Sequence, residues 1–260
     1  MNIIVSIKQV PDTTQVRIDP ETNTLIREGV ESIINPFDMY AIEEGVRLKE
    51  KHGGKTIAIT MGPPQAEAAL KEAISMGCDE GYLISDRAFA GSDTLATGYT
   101  LAMAVKKIKD FDIILCGKQA SDGDTAQVGP GIATQLDIPQ VTYVKKIEDI
   151  KDKVATVERM TEEGFEIVKT SLPCLLTVVK EINEPRIPSL KGRMKAKKAI
   201  IPTWKAIDLD VDEVRLGLTG SPTWVSKIFT PPPRPKGKIF EGEPEDTTTQ
   251  LTDLLKDRLV

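Results

Sequence analysis

Gly117-Lys118-Gln119-Ala120-Ser121-Asp122-Gly123-Asp124-Thr125-Ala126-Gln127-Val128-Gly129 decides how this chain is read. Ahead of it lies the apolar run 111–116 (FDIILC), which has the character of a buried strand. Behind it, residues 125–136 carry helical spacing, and Asp124 is placed to cap that helix. The stretch is therefore a polar, glycine-containing loop from a strand's carboxyl end to a helix's amino end. In an open α/β sheet nucleotides bind there, because free backbone N–H groups and the helix dipole face an anion. An ordinary connecting loop with a good cap is the plainer explanation. The length of the loop favours a function.

Outward from this loop, the first half of the chain alternates. Residues 2–8, 55–60, 81–85 and 111–116 read as strands, and 39–51, 65–76, 92–108 and 125–136 as helices, with Ser92 as a cap and Gly77 as a stop. Such alternation implies parallel pairing, right-handed crossovers and a doubly wound, Rossmann-like sheet. After Asp137 the pattern changes. Residues 141–147, 154–160 and 165–169 read as strands with a tight turn at Thr161–Gly164, and 173–180 as one more; together they predict an antiparallel addition to the sheet. Three prolines at 231–233 force an extended arm, and Leu251, Leu254, Leu255 and Leu259 recur at helical spacing over 247–259. The expected organisation is an α/β nucleotide-binding domain over 1–225 and a C-terminal arm and helix over 226–260.

Composition limits the function. The chain has 260 residues, 40% of them hydrophobic, enough to bury a full core, and its net charge of −5 gives no reason to expect nucleic acid. Cys78, Cys116 and Cys174 are scattered singly, which argues against a disulfide framework or a metal site and fits a reducing cytoplasm. No run reaches bilayer length, and the apolar start meets Lys8 at once, so membrane insertion and a signal peptide are not expected. The single histidine, His52, is expected at a helix end beside Gly53-Gly54, where it meets the helix dipole, so the sequence offers no histidine-based acid–base pair.

Two phosphate motifs fail. Gly54-Lys55-Thr56 resembles the end of a P-loop, but position 49 is lysine and the triplet leads into a strand. Gly129-Pro130-Gly131 falls inside a helix already begun. Other loops then matter. Ser6–Asp12 (SIKQVPD) and Thr60–Pro64, with Met61, leave strand ends and can converge with the 117–129 loop on one crevice; Asn35-Pro36-Phe37-Asp38 opens a helix, with Asn35 suited to bond a base or backbone. Asp122 and Asp124 would repel phosphate and suit a cap or ribose hydroxyls, while Lys118 is the nearby cation or simply a solvated lysine. The loop 86–94, with Phe89, Asp93 and Thr94, could seat a flat ring, or Phe89 could cap a local cluster. The segment 183–198 (NEPRIPSLKGRMKAKK) sets Leu190 and Met194 among cations, a pattern that suits protein docking. No side-chain constellation is catalytic, so any redox chemistry needs a cofactor.

These residues resemble the β subunit of electron-transfer flavoproteins. Residues 157–168 (VERMTEEGFEIV) and 173–177 (PCLLT) fit that family's signature, and the NPFD at Asn35, GPPQ at Gly62, GKQ at Gly117 and NEPR…MKAKK at Asn183 add matches along essentially the whole chain. The resemblance implies a heterodimer with an FAD-carrying α subunit and an adenine nucleotide in the crevice. By position, the contacts it implies are Ser6, Asn35, Pro36, Phe37, Asp38, Met61 and the loop from Lys118 through Gln119, Ser121, Asp122, Gly123, Asp124, Thr125, Gln127 and Val128 to Gly129; Lys8, Phe89, Asp93 and Thr94 join this candidate set. Around Leu190 and Met194 it implies docking on a dehydrogenase, and for the C-terminal arm and helix, contact with the α subunit.

Some members hold AMP structurally. Others bind a second FAD that accepts hydride from NADH and bifurcates electrons, one to ferredoxin or flavodoxin and one through the α-subunit FAD to the dehydrogenase. The stretches 122–129, 10–12 and 88–94 resemble the bifurcating form, and a glycine at 123 with a roomy 88–94 loop leaves space for a flavin. An AMP-binding subunit is the alternative, and a stand-alone adenine-nucleotide sensor a third. The dehydrogenase that the resemblance implies is of acyl-CoA, enoyl-CoA or 2-hydroxy-acid type.

Overall fold

Short apolar runs and amphipathic stretches alternate to build a nine-stranded sheet with helices on both faces. The computed structural model describes residues 1–12, 17–18, 25–26, 32–224, 226 and 237–256. The proline run at 231–233 and Leu259 lie outside the described residues. In chain order, β1 (Asn2–Ser6) precedes β2 (Gln9–Pro11), β3 (Arg17–Ile18), β4 (Leu25–Ile26) and β5 (Ser32–Ile34). Of these, β2 pairs with β5 and β3 with β4, both antiparallel and outside the main sheet. Then follow α1 (Pro36–His52), β6 (Lys55–Met61), α2 (Glu67–Met76), β7 (Glu80–Ile84), α3 (Thr94–Ile108), β8 (Ile113–Gly117) and α4 (Val128–Leu136). The remainder is β9 (Gln140–Lys151), β10 (Val154–Met160), β11 (Phe165–Ser171), β12 (Cys174–Val178), α5 (Leu190–Lys198), β13 (Thr203–Trp204) and α6 (Pro244–Lys256).

The sheet runs β11-β10-β9-β12-β8-β1-β6-β7-β13. From β9 across to β13 every pair is parallel, and β10 and β11 extend the edge as an antiparallel meander. Alternation within the central strands divides the core in two. Ile3 and Val5 of β1 join Ile42, Leu70 and Ile74 on the side of α1 and α2, while Ile4 joins Ala102, Val105 and Ile132 on the side of α3 and α4. Both faces of the central strands are thus buried, as a parallel sheet requires. Each fully buried Ile or Leu contributes roughly 1.5–3 kcal/mol, which makes these strands the rigid floor of any site above them.

Three sequence expectations are corrected. The helix expected from residue 125 starts at Val128; Asp124 is not its cap but a loop residue at φ 54°, and Gln127 stands at the N-cap. The third helix is capped by Asp93, whose carboxylate accepts from Leu95 N and Ala96 N, and not by Ser92, whose hydroxyl bonds Phe89 O. The strand at 173–180 is not part of the antiparallel addition. Its core, β12, inserts parallel between β8 and β9. The physical reason is its content: all five residues of Cys174–Val178 are buried, and a run that is buried throughout and mostly apolar belongs in the middle of a parallel sheet, not at an edge.

The turn after β10 closes with Thr161 N donating to Gly164 O, and His52 sits in the last turn of α1 beside Gly53. The C-terminal helix starts at Pro244, with Glu245 and Asp246 in its first turn. Its Leu251, Leu254 and Leu255 are exposed. Among the described residues no helix is long and apolar enough to cross a membrane.

Candidate nucleotide crevice

The chain leaves β1 toward β6 on one side and later returns to place β8 on the other. The strand order therefore switches direction between β1 and β8, and a crevice opens above their carboxyl ends. Its cavity holds about 470 Å³, within the range of cofactor sites. Ser6 and Lys8 border it from the end of β1, Met61 from β6, and Cys116 and Gly117 from β8. Asn35 and Asp38 come from the start of α1; Lys118, Gln119, Gly123 and Thr125 come from the loop. Gln127, Val128 and Gly129 open α4, and Asp93, Thr94 and Thr97 open α3.

Asp38 holds the seam together. Its Oδ2 accepts from Lys8 N at 2.7 Å and its Oδ1 from Gly117 N at 3.0 Å, so one buried carboxyl joins α1, the segment just after β1, and β8. Burial pushes this carboxyl up to about 7, although the Lys8 and Gly117 N–H groups and the Asn35 side chain pull the other way. Only glycine fits at 117, because a Cβ would lie 2.4 Å from Asp38 Oδ1 and 2.7 Å from the Phe37 carbonyl carbon. Asn35 stitches the loop to α1: its Nδ2 donates to Gln119 O at 2.8 Å and its Oδ1 accepts from Ser121 N at 3.0 Å.

The loop carries local strain. Asp124 and Ala126 both have φ 54°, costing roughly 1–2 kcal/mol each, and such strain gathers at ligand sites. Lys8 Nζ bonds both carboxylate oxygens of Asp122, at 2.6 and 2.8 Å, and Gln119 Nε2 donates to Asp124 Oδ1. The start of α4 differs from that of α3. Gln127 makes no side-chain cap; its Oε1 instead accepts from Thr94 Oγ1 at 2.9 Å, and Pro130 has no N–H. The first-turn N–H groups of α4 lack intrahelical acceptors and border the crevice, a donor set that suits phosphate. At Gly123 a Cβ would meet nothing within 4 Å. An uncapped helix start, a glycine facing open space and a cavity of this size fit an adenine nucleotide.

Some expected site residues lie elsewhere. Phe37 borders a neighbouring pocket of about 730 Å³ with Tyr143, Arg159 and Lys118, whose Nζ is 5.4 Å from each ring centroid. Phe89 is buried in the core on the α3 side, so its ring is not offered to a ligand. Ser121 meets Asn35 through its backbone, and Asp122 and Asp124 spend their carboxylates within the loop region. Leu190 and Met194 are 77% and 55% exposed on α5.

The structure also adds Ser92, Thr97, Leu101 and Cys116 to the crevice lining, while Ala120 and Ala126 line it as part of the expected 118–129 loop. A signal existed for two of them: Thr97 and Leu101 stand four residues apart on the helix that Asp93 caps. Among the described residues no group of three or more His, Cys, Asp or Glu could hold a metal ion.

Residues 22–209 match the family model described as Electron transfer flavoprotein domain. The chain belongs to the electron-transfer flavoprotein family. It is similar along its whole length to the electron transfer flavoprotein subunit beta of Thermoanaerobacterium thermosaccharolyticum, 56% identical with 100% of both chains covered. The corresponding subunit of Megasphaera elsdenii is 50% identical over 100% of this chain and 98% of that one. The caffeyl-CoA reductase-Etf complex subunit CarD of Acetobacterium woodii is 50% identical over 93% and 92%. Membership supports a role in electron transfer as one subunit of a flavoprotein.

Proposed function

We propose that this chain is the β subunit of a heterodimeric electron-transfer flavoprotein and that its crevice clamps an adenine nucleotide. The observation that carries this reading is the uncapped start of α4 at the switch point of the sheet, beside a loop stitched by Asn35 and strapped by Lys8–Asp122. In that reading the first-turn N–H groups receive phosphate, Asp38 keeps α1 tight against β8, and the Thr94–Gln127 bond fixes the opposite wall.

Family membership by itself supports the plain carrier, with AMP held structurally. Support for the longer ligand, FAD, comes from a lining that includes Asp93, Thr94 and Thr97 of α3 and from the space beside Gly123, where a Cβ would meet nothing within 4 Å. FAD bound there would supply hydride acceptance from NADH and one-electron release, to ferredoxin or flavodoxin on one branch and to the α-subunit FAD on the other. This chain's own work is to bind, orient and shield. Leu190 and Met194 serve as the docking anchor for a flavin dehydrogenase, and the exposed leucine face of α6 packs on the α subunit.

The test is to purify the αβ protein, release its cofactors with acid and count them. Two FAD and no AMP per heterodimer support the bifurcating form, and one FAD with one AMP supports the plain carrier. One FAD and no second nucleotide would overturn the crevice as a nucleotide site.

A further inference from the structure

Glu43 lies mid-way along α1 with a side chain only 3% exposed. A buried acid is costly unless its charge and lone pairs are met. Here they are met almost entirely by one residue from far along the chain. Arg186 donates to the Glu43 carboxylate from its backbone N at 3.1 Å, from Nε at 2.7 Å and from Nη2 at 3.1 Å. Arg47 Nε adds a fourth bond at 2.6 Å. The free side of the Arg186 guanidinium forks onto Glu50, at 2.6 and 3.0 Å. Burial would raise the Glu43 carboxyl, but the Arg186 and Arg47 guanidiniums outweigh it and hold the group below its usual range.

The same stretch is fastened twice more. Asn183 Nδ2 donates to Tyr40 O and to Glu44 Oε2, each at 3.0 Å. Ser189 caps α5 by accepting from Gly192 N at 3.0 Å. At the far end Lys195 Nζ reaches Cys78 O at 3.0 Å, and Gly192 packs so close to α2 that a Cβ would sit 2.1 Å from Ser75 O. The result is an otherwise irregular segment, 183–189, held in one path, ending in a short helix whose two large apolar side chains point outward, unburied. Replacing a buried ion pair by apolar residues commonly costs nothing in stability, so directional bonds of this kind are suited to fixing geometry rather than to adding free energy.

We propose that Glu43 is a positioning residue for partner docking: through Arg186 it sets the path of residues 183–189, and so presents Leu190 and Met194 in one preformed geometry. This rests on the reading of Leu190 and Met194 as the docking anchor. A preformed anchor binds without ordering a loop on encounter, which lowers the concentration at which the partner saturates. Electron passage after docking does not involve Glu43, so the effect belongs in KM and not in kcat.

The experiment uses the intact αβ protein as electron acceptor for a purified acyl-CoA dehydrogenase that reduces the wild type with saturable kinetics. Glu43→Gln, Glu43→Gln with Arg186→Gln, and Leu190→Ala are compared with wild type, with bound nucleotide counted in each. The expected result for Glu43→Gln is a rise in KM of about tenfold, equivalent to about 1.4 kcal/mol of docking, with kcat and nucleotide content retained. The double variant keeps the raised KM, because removing the unpaired Arg186 charge does not restore the lost path. Restoration of KM in the double variant would show an uncompensated charge and overturn the inference, as would an unchanged KM in Glu43→Gln while Leu190→Ala raises it. An unchanged KM in Leu190→Ala would sink the docking reading itself and the inference with it. Loss of nucleotide with a fall in kcat would place Glu43 in service of the crevice instead and also overturn it.

Discussion

Gly117→Ala tests the seam beneath the crevice. The added Cβ would stand 2.4 Å from Asp38 Oδ1, 2.7 Å from the Phe37 carbonyl carbon and 2.8 Å from Asp38 N. Two of these atoms are backbone, and the third is a carboxylate oxygen held by two N–H groups, so none is a flexible end that can swing aside. The first turn of α1 must move off β8, stretching the bonds from Gly117 N and Lys8 N to Asp38. Overpacking of this kind costs roughly 1–3 kcal/mol and a weakened bond to a buried carboxyl roughly 1.5–3 kcal/mol more. A loss of about 4 kcal/mol corresponds to about 10 °C in melting temperature for a chain of this size. Calorimetry of the αβ protein, with nucleotide counted after gel filtration, reads both effects: earlier melting and lost nucleotide. A variant that melts within about 2 °C of wild type and keeps its nucleotide would refute the account of the seam.

Further outcomes follow from the same geometry. Because burial lifts the Asp38 carboxyl from 3.8 to about 7, the folded state binds its proton more readily than the unfolded state. The stabilisation from this group is full below about 4 and is lost as pH rises through about 7; denaturant midpoints at several pH values should show the decline, and Asp38→Asn should flatten it. Gly123→Val places a side chain where a Cβ meets nothing within 4 Å, so stability should stay within about 0.5 kcal/mol while FAD uptake falls; unchanged FAD content would argue against a flavin beside residue 123. Asp122→Asn removes a bridge whose partners are 48% and 30% exposed, so global stability should change by at most about 1 kcal/mol. Hydrogen exchange across residues 118–126 should nevertheless quicken, and an unaltered pattern would mean that Lys8 does not strap the loop.

Much of this architecture was legible in residue order. Alternating apolar runs and amphipathic stretches gave the parallel core, because a strand buried on both faces is mostly apolar. Loop 117–129 stood out because a long polar loop at a strand's carboxyl end has few structural reasons to exist. The start of α4 was misplaced for a reason that local preference cannot expose: Asp124 is a good cap by type, but the loop spends its carboxylate on Gln119 and turns it to positive φ. Of the two readings open for Phe89, ring platform or cap on a local cluster, burial in the core on the α3 side bears out the second. Position in the sequence, directly after a hairpin, suggests an antiparallel partner for β12, whereas its content, CLLTV, is that of a central strand. The bond between Glu43 and Arg186 spans 143 residues, and no periodicity in one helix can announce its partner at that distance.

The late entry of β12 also bears on synthesis. β8 and α4 are translated well before residues 174–178, yet β8 pairs with β12 along its length, and Gly129 at the start of α4 rests on Thr177 so closely that a Cβ would lie 2.7 Å from its methyl group. A nascent chain that has not passed Thr177 therefore has a bare strand edge at the centre of its future sheet and a helix start without a floor. Such an edge invites pairing with other chains. The crevice above β1 and β8 therefore has its full floor only once the last central strand is in place.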